Sequence, residues 1–328
     1  MPAQTTDALV VTKHGGTDVL QIQSREIGQP GPGQLLVQVA AAGVNFIDAY
    51  QREGIYPVPT PFTVGSEGAG IVLSAGEGVT AAVPGDRVCW CLAPGSAAGL
   101  ALVPESAIVP VPEPVSLEQA AAVMLQGMTA HYLVNDTYPV QAGDTVLVHA
   151  GAGGVGQLLV QLIKAKDAVV IATVGSEAKA AKVRELGADH VLNYTEIDDL
   201  AAAVRELTGG EGVAAVYDGV GKSTFDASLA SLRVRGTLAV FGAASGPVPP
   251  FDLQRLNAGG SLFITRPSLG HYVRTRQELL IRAGAVLDAL ALGGLRVEIG
   301  GRYPLAEAVR AYTDLEGRRS TGKLLLIP

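Results

Sequence analysis

The pattern of apolar and polar positions changes character about a third of the way along this 328-residue chain. Up to about residue 112 it is built of short segments bounded by turns, at 35–39, 70–74 and 87–92, the last following Pro84-Gly85-Asp86. Short runs punctuated by glycine and proline predict a small, mostly β domain. A proline-rich stretch, 104–114, leads into Ser116-Leu117-Glu118-Gln119. There Ser116 can cap a helix and Gln119 can return the bond to its backbone, so a helix is expected from this point to about Val134. Strands and helices then alternate, which predicts a parallel sheet. The expected strands are 145–150, 168–174, 190–193, 213–217, 237–241 and 261–265, and the expected helices are 155–166, 177–186 (stopped by Gly187), 197–207 and 223–232. Six parallel strands make an α/β, doubly wound fold. After Pro267 a long helix at 276–292 and a closing strand at 323–327 read as a return to the first domain. The expected division is therefore 1–124 for the first part of the β domain, 125–267 for the doubly wound domain and 268–328 for the return.

Composition agrees with two packed domains, since hydrophobic residues make up 48% and charged residues only 17%, below the usual charged share of about 25%. Lys and Arg number 24 against 31 Asp and Glu, a net charge of -7, and no basic patch stands out. Nucleic acid and anionic membrane are therefore not expected partners. The segment Met1 to Asp7 has no basic region or apolar block, and no uncharged apolar run reaches the roughly 18 residues of a membrane helix. The expected location is cytoplasmic. Cys89 and Cys91 read as partly buried strand thiols on opposite faces, neither paired nor sharing a metal.

Gly151-Ala152-Gly153-Gly154-Val155-Gly156 carries the chemistry. It fits G-x-G-x-x-G and lies between a strand and an amphipathic helix, the context a dinucleotide-binding loop requires. Glycines permit the tight turn and close approach, and the helix N-terminus offers unpaired N–H groups to a pyrophosphate. About 20 residues on, where a carboxylate holds the ribose 2′-hydroxyl of NAD, the chain reads Thr173-Val174-Gly175-Ser176. Small residues there, with Lys179 as a cation and Tyr194 to close the pocket, favour the 2′-phosphate of NADPH. Lys179 and Tyr194 also have ordinary readings, as a solvated helix residue and a strand-end packing residue. Glu177 reads as a carboxylate in a helix's first turn. A catalytic zinc needs three converging protein ligands, and His14, His131, His149, His190 and His271 lack such spacing. His149 reads as a core or loop-supporting residue.

Ala42-Gly43-Val44-Asn45-Phe46-Ile47-Asp48, Gly65-Ser66-Glu67-Gly68-Ala69-Gly70 and His149 to Gly156 together resemble the medium-chain dehydrogenase/reductase superfamily. Within it the chain closely resembles NADPH:quinone oxidoreductases of the zeta-crystallin type. The likeness extends over the whole length, through Leu125-Gln126-Gly127-Met128-Thr129-Ala130, Ile264-Thr265-Arg266-Pro267-Ser268 and Thr321-Gly322-Lys323. It implies a GroES-like catalytic domain and a Rossmann domain. In zinc alcohol dehydrogenases of the superfamily a Cys stands in the place of Asn45 and a His in the place of Ser66, so no metal is expected. Asp48 and Glu67 become hydrogen-bonding supports, the glycines of 65–70 let the chain turn at the catalytic cleft, and Asn45 can alternatively cap the helix that follows it. The resemblance implies that Asn45, Tyr50, Tyr56, Gln126 and Thr129 line the nicotinamide end, with Asn45, Tyr50 and Tyr56 as the catalytic candidates. Gly153, Gly154, Val155, Gly156, Gly175, Ser176, Lys179 and Tyr194 would hold the phosphates, and Gly219, Phe241, Gly242, Ala243, Thr265 and Arg266 would close over the cofactor. It also implies a homodimer through the edge strand at 261–265.

Missing zinc ligands bear on the substrate. Reduction of a simple ketone develops an alkoxide whose conjugate acid has a pKa near that of water, about 15.7, whereas a quinone develops a phenolate-like oxygen, for which the tyrosine value of about 10 is a guide. The difference spares the protein roughly 7 to 8 kcal/mol of charge stabilisation. The expected activity is NADPH-dependent reduction of a small-molecule quinone without a metal. The alternatives are reduction of α,β-unsaturated carbonyls and, in another class, a non-catalytic NADPH-binding structural or RNA-binding protein.

Overall fold

The computed structural model describes residues 4–317 and 319–328. The chain divides into two compact units, Met1–Met128 with Val273–Pro328 and Thr129–Tyr272. The first unit contains β1 (Gln4–Val11), β2 (Leu20–Ile27), β3 (Gln34–Val44), α1 (Phe46–Arg52), β4 (Phe62–Thr63), β5 (Glu67–Ala75), β6 (Arg87–Cys91), β7 (Leu100–Pro104) and β8 (Ile108–Pro110). The helix α2 (Leu117–Tyr132) then carries the chain into the second unit. That unit runs β9 (Thr145–Val148), α3 (Gly154–Lys164), β10 (Val169–Val174), α4 (Glu177–Glu185), β11 (His190–Asn193), α5 (Leu200–Leu207), β12 (Val213–Asp218), α6 (Phe225–Ala230), β13 (Leu232–Val240), α7 (Gln254–Ala258) and β14 (Phe263–Thr265). Helix α8 (Arg276–Ala291), β15 (Ile299–Pro304), α9 (Ala308–Glu316) and β16 (Lys323–Ile327) return to the first.

In the first unit a three-stranded sheet β2-β1-β4 accompanies a seven-stranded sheet ordered β15-β16-β3-β5-β6-β8, with β7 also beside β3. Leu35, Val37, Val72, Val88, Trp90, Ile108, Leu324 and Leu326 share its core. The C-terminal strand β16 pairs antiparallel with β3, setting Leu324 opposite Val44 and Leu326 opposite Ala42. This register brings Lys323 to Asn45.

Two expectations need correction here. Only Gly65 turns the chain, at φ +102, and a Cβ there would also lie 2.3 Å from Ser96 Oγ. Gly68 and Gly70 lie inside β5 and serve close packing, since a Cβ on Gly68 would meet the buried Trp90 ring at 2.7 Å and one on Gly70 would meet the Gln38 carbonyl. The strand period of two puts residues i and i+2 on one face, so Cys89 and Cys91 share a side of β6, and both are free and buried. Burial, with the carboxylate of Glu67 adding to it, pushes both thiols up.

The second unit holds one parallel sheet ordered β11-β10-β9-β12-β13-β14. Strand order reverses between β9 and β12, the place where doubly wound folds bind ligands beyond the strands' carboxyl ends. Element ends shift where backbone geometry intervenes. Strand β9 stops at Val148 because Ala150 turns at φ +52, and β14 begins only after Gly260 at φ +108 and Ser261 at φ +56. Strand β13 starts five residues earlier than the apolar run at 237–241, its polar Arg233 and Arg235 hiding the start from a hydrophobic pattern. Helix α5 starts at Leu200 where Asp199 Oδ1 accepts from Ala202 N–H at 2.9 Å. Ser116 and Gln119 make the reciprocal capping bonds expected of them, at 3.1 and 3.0 Å. The helix they open gives way after Tyr132 to a wider π turn at Leu133–Thr137. Among the described residues no helix is long and apolar enough to cross a membrane.

Candidate active site

In the second unit the glycine-rich loop joins β9 to α3. Gly153 caps the helix without a side chain, so the first-turn amides are left for an anion rather than satisfied locally. Gly156 must be glycine, because a Cβ there would lie 2.3 Å from the Ala150 carbonyl oxygen. The loop is held from beneath by a buried chain of hydrogen bonds. Ser228 Oγ donates to Asp218 Oδ2 at 2.9 Å and so accepts from His149 Nε2 at 3.0 Å. His149 Nδ1 is then left to accept from Thr173 Oγ1 at 3.1 Å, and Thr173 Oγ1 accepts from Ala150 N–H at 3.3 Å. Burial pulls the His149 pKa down, keeping the ring neutral in this tautomer, against the weaker pull of Asp218. His149 thus supports the loop, as its position suggested.

The residues expected to read the 2′-phosphate come together. Ser176 caps α4 through its hydroxyl, which accepts from Lys179 N–H. Tyr194 Oη lies where a side chain on Gly175 would be, 2.4 Å from that residue's notional Cβ, so a glycine is required for the tyrosine to approach. Lys179 is half-buried and burial pulls its pKa down, a cost that an anionic phosphate beside it would offset. The awkward carboxylate, Glu177, is paired with Arg184 Nη1 at 2.5 Å on the solvent side. Gly219, Phe241 and Gly242 also meet: Phe241 N–H donates to the Asp218 carbonyl at 2.8 Å, Ala244 N–H donates to that of Gly219 at 3.2 Å, and Arg266 Nη1 reaches the Val240 carbonyl at 3.1 Å. Ala243 lies beyond the carboxyl end of β13, and Thr265 is the last residue of β14.

In the first unit Asn45 is the N-cap of α1, and Asp48 Oδ2 returns a bond to its backbone N–H at 3.1 Å. Its side chain faces inward. Asn45 Nδ2 donates to Glu67 Oε2 at 2.9 Å and to the Gly43 carbonyl at 3.1 Å, while Oδ1 accepts from Lys323 Nζ at 2.6 Å. Lys323 and Glu67 form a fully buried ion pair at 2.6 Å, and Glu67 Oε1 also accepts from Leu125 N–H at 2.6 Å. Next to this pair Ser66 Oγ donates to Asp48 Oδ1 at 2.8 Å, and Tyr312 Oη donates to Asp48 Oδ2 at 3.1 Å. Burial pushes the Asp48 carboxyl up to about 6, against the opposing pull of Ser66, Lys323, Tyr312 and the Asn45 amide. Tyr50 and Tyr56 stand edge to face, ring centroids 5.4 Å apart. Gln126 Oε1 is buried with no hydrogen-bond partner among the described residues. Thr129, buried, opens the second unit.

Comparison with known proteins follows this geometry. Residues 31–113 match the alcohol dehydrogenase GroES-like domain and residues 154–279 match the zinc-binding dehydrogenase family. The chain is 43% identical to a quinone oxidoreductase of Pseudomonas aeruginosa, over 96% of this chain and 97% of that one. The chain belongs to the quinone oxidoreductases of the medium-chain dehydrogenase/reductase superfamily. It is also 42% identical to a 2-haloacrylate reductase of a Burkholderia species, over 98% of each chain. Among solved structures, a mycobacterial protein complexed with NADPH superposes with a TM-score of 0.95 at 52% identity, over 98% of this chain and 100% of that one.

Within this family the chain departs from its zinc-binding members. Zinc favours thiolate, imidazole and carboxylate donors, whereas Asn45 presents an amide and Ser66 a hydroxyl. The Lys323 ammonium already occupies the amide oxygen and would repel a second cation. The donors therefore do not fit zinc, and among the described residues no three His, Cys, Asp or Glu side chains gather to hold a metal. Lys323 and Tyr312 were not singled out from the sequence as site residues. The faint signal for Lys323 is one lysine opening an otherwise apolar strand, Lys-Leu-Leu-Leu-Ile. Tyr312 gives none, since a tyrosine in an amphipathic helix reads as packing.

Proposed function

We propose that this protein is an NADPH-dependent reductase of quinones that works without a metal. The observation that carries the reading is the Lys323–Glu67–Asn45 cluster, which sets a fixed ammonium against Asn45, the residue that stands where zinc-dependent relatives have a Cys ligand. Such a site suits an acceptor whose reduced oxygen is phenolate-like. Bound NADPH would supply the hydride. The amides of Gly154, Val155 and Gly156 would bind its pyrophosphate, with Gly153 as the uncapped helix start, and Gly175, Ser176, Lys179 and Tyr194 would bind its 2′-phosphate. Gly219, Phe241 to Ala243, Thr265 and Arg266 would enclose the remainder. Gln126, with its orphaned carbonyl oxygen, and Thr129 would orient the carboxamide, while Tyr50 and Tyr56 would flank the acceptor.

Asn45 takes a different part from that of a proton donor. Both its amide hydrogens are spent on Gly43 and Glu67, so it positions the site through Lys323. The reading assigns cofactor binding to the unit Thr129–Tyr272 and acceptor chemistry to the other. It takes the enzyme to be cytoplasmic, which suits two buried free thiols, and a homodimer through β14. The unpaired edge of β14, with Phe263 59% and nearby Val234 67% exposed, supports the dimer.

Reduction of α,β-unsaturated carbonyls is the second reading, favoured by the 2-haloacrylate reductase relative. NADPH oxidation measured across benzoquinones, naphthoquinones and enones, with a spin-resonance search for an acceptor radical, separates the two. Tight NADPH binding with no acceptor turned over would overturn both.

A further inference from the structure

The first unit contains a cavity of about 610 Å³ lined by Ile47, Gln51, Val58, Phe62, Ser66 and Leu92, among others. Polar Thr6, Arg25, Glu26 and Thr63 share its wall with the apolar side chains, and Leu92 stands in it at φ +61, a strained conformation for leucine that the Leu92 N–H bond to the Ser66 carbonyl helps to hold. Ser66 is thus a cavity residue whose hydroxyl is hydrogen-bonded to a buried carboxyl behind it.

The geometry points to Ser66 as the proton donor to the acceptor oxygen in this cavity, with Asp48 resupplying Ser66 from behind. The inference rests on the reductase reading. Once hydride has reached the acceptor, an electron pair and a negative charge remain on its oxygen. When Asp48 is protonated the 2.8 Å bond runs from its carboxyl to Ser66 Oγ, and the Ser66 hydrogen, otherwise donated to Asp48 Oδ1, turns to the acceptor. An O–H bond then forms there as the Ser66 O–H breaks, and Ser66 Oγ takes the proton of the Asp48 carboxyl. The Asp48 carboxylate left behind is held by Asn45 N–H and Tyr312 O–H, each at 3.1 Å, until solvent returns a proton. Of the charged groups around it, Lys323, paired with Glu67 on the strand side, pulls the Asp48 carboxyl down, while Arg52 is paired with Glu53 and with Glu316 of α9. Burial outweighs that pull and the hydrogen bonds, so the carboxyl keeps its proton up to about pH 6.

The test is kcat of the NADPH-saturated full-length protein on two benzoquinones, one methyl-substituted with a basic product oxygen and one halogenated with a weakly basic one, across pH 5 to 8 in H₂O and D₂O. Ser66→Ala is expected to lower kcat by about tenfold to 100-fold on the methylated quinone and little on the halogenated one, with NADPH affinity unchanged. The wild-type rate on the methylated quinone should fall as pH rises through about 6, and Tyr312→Phe should move that fall to higher pH by weakening the carboxylate form. An equal deficit on both quinones, or an unmoved pH profile in Tyr312→Phe, overturns the relay. A wild type that reduces neither quinone overturns the reductase reading, and the relay with it.

Discussion

A buried charge costs free energy unless an opposite charge and hydrogen bonds meet it, and Lys323, fully buried, meets both in Glu67 and Asn45. Removing one partner strands the other. Lys323→Met is expected to lower stability in urea unfolding by about 3 to 5 kcal/mol, and Lys323→Met with Glu67→Gln should recover a large part of that loss. If the single and double variants were equally unstable, the pair would not be the cause. Lys179 is a simpler case, partly desolvated and in the first turn of the helix that Ser176 caps. Lys179→Ala should weaken NADPH binding about tenfold or more while leaving NADH binding nearly unchanged, as titration of cofactor fluorescence would reveal. Asn45, Ser66, Glu67 and Lys179 were legible in the sequence because each lies in or near a motif whose spacing has a meaning. Lys323 was not, because its partner Asn45 is 278 residues away and only the β3–β16 register joins them.

At the scale of elements, two buried titrating groups oppose each other. His149, beneath the loop between β9 and α3, is held neutral by burial and its pKa lies below the usual 6.5. As pH falls below about 6.5 the unfolded chain takes a proton that the folded ring refuses, so stability falls, with a limiting slope of about 1.4 kcal/mol per pH unit. Asp48, in the first turn of α1, is raised from 3.8 to about 6. Between those values the folded state binds the proton first, so its contribution increases as pH falls and offsets that of His149. Asp48→Asn should therefore steepen the loss of stability below about pH 6, measured by urea unfolding at successive pH values. Parallel slopes in the variant and wild type would contradict the assignment. Most elements were visible as apolar periodicity, since β9, β10 and β12 are runs buried almost throughout and α3 and α5 are amphipathic. Their ends were not, because β9 and β14 are cut by left-handed backbone at Ala150 and Ser261, residues whose type does not announce it.

For the whole molecule, oligomeric state and metal content follow from surfaces and donors. Phe263→Lys on the outer edge of β14 is expected to turn the proposed dimer into a monomer in light scattering, at an unchanged melting temperature for the fold. Protein washed with a strong chelator should retain its rate on quinones and contain no stoichiometric zinc by elemental analysis. The sequence alone determined the two-part plan, the doubly wound sheet and the phosphate loop, because these depend on local periodicity and on glycines at fixed spacing. It also marked, through Asn45 and Ser66, where a metal ligand set was wanting. What replaced that set was decided by tertiary structure. Pairing of the last strand with the third places a lysine under Asn45, and packing of α9 against α1 places Tyr312 on Asp48. Burial then makes the charges strong and moves the carboxyl toward neutrality, and burial is a property that residues far apart in the chain confer on one another only once it has folded.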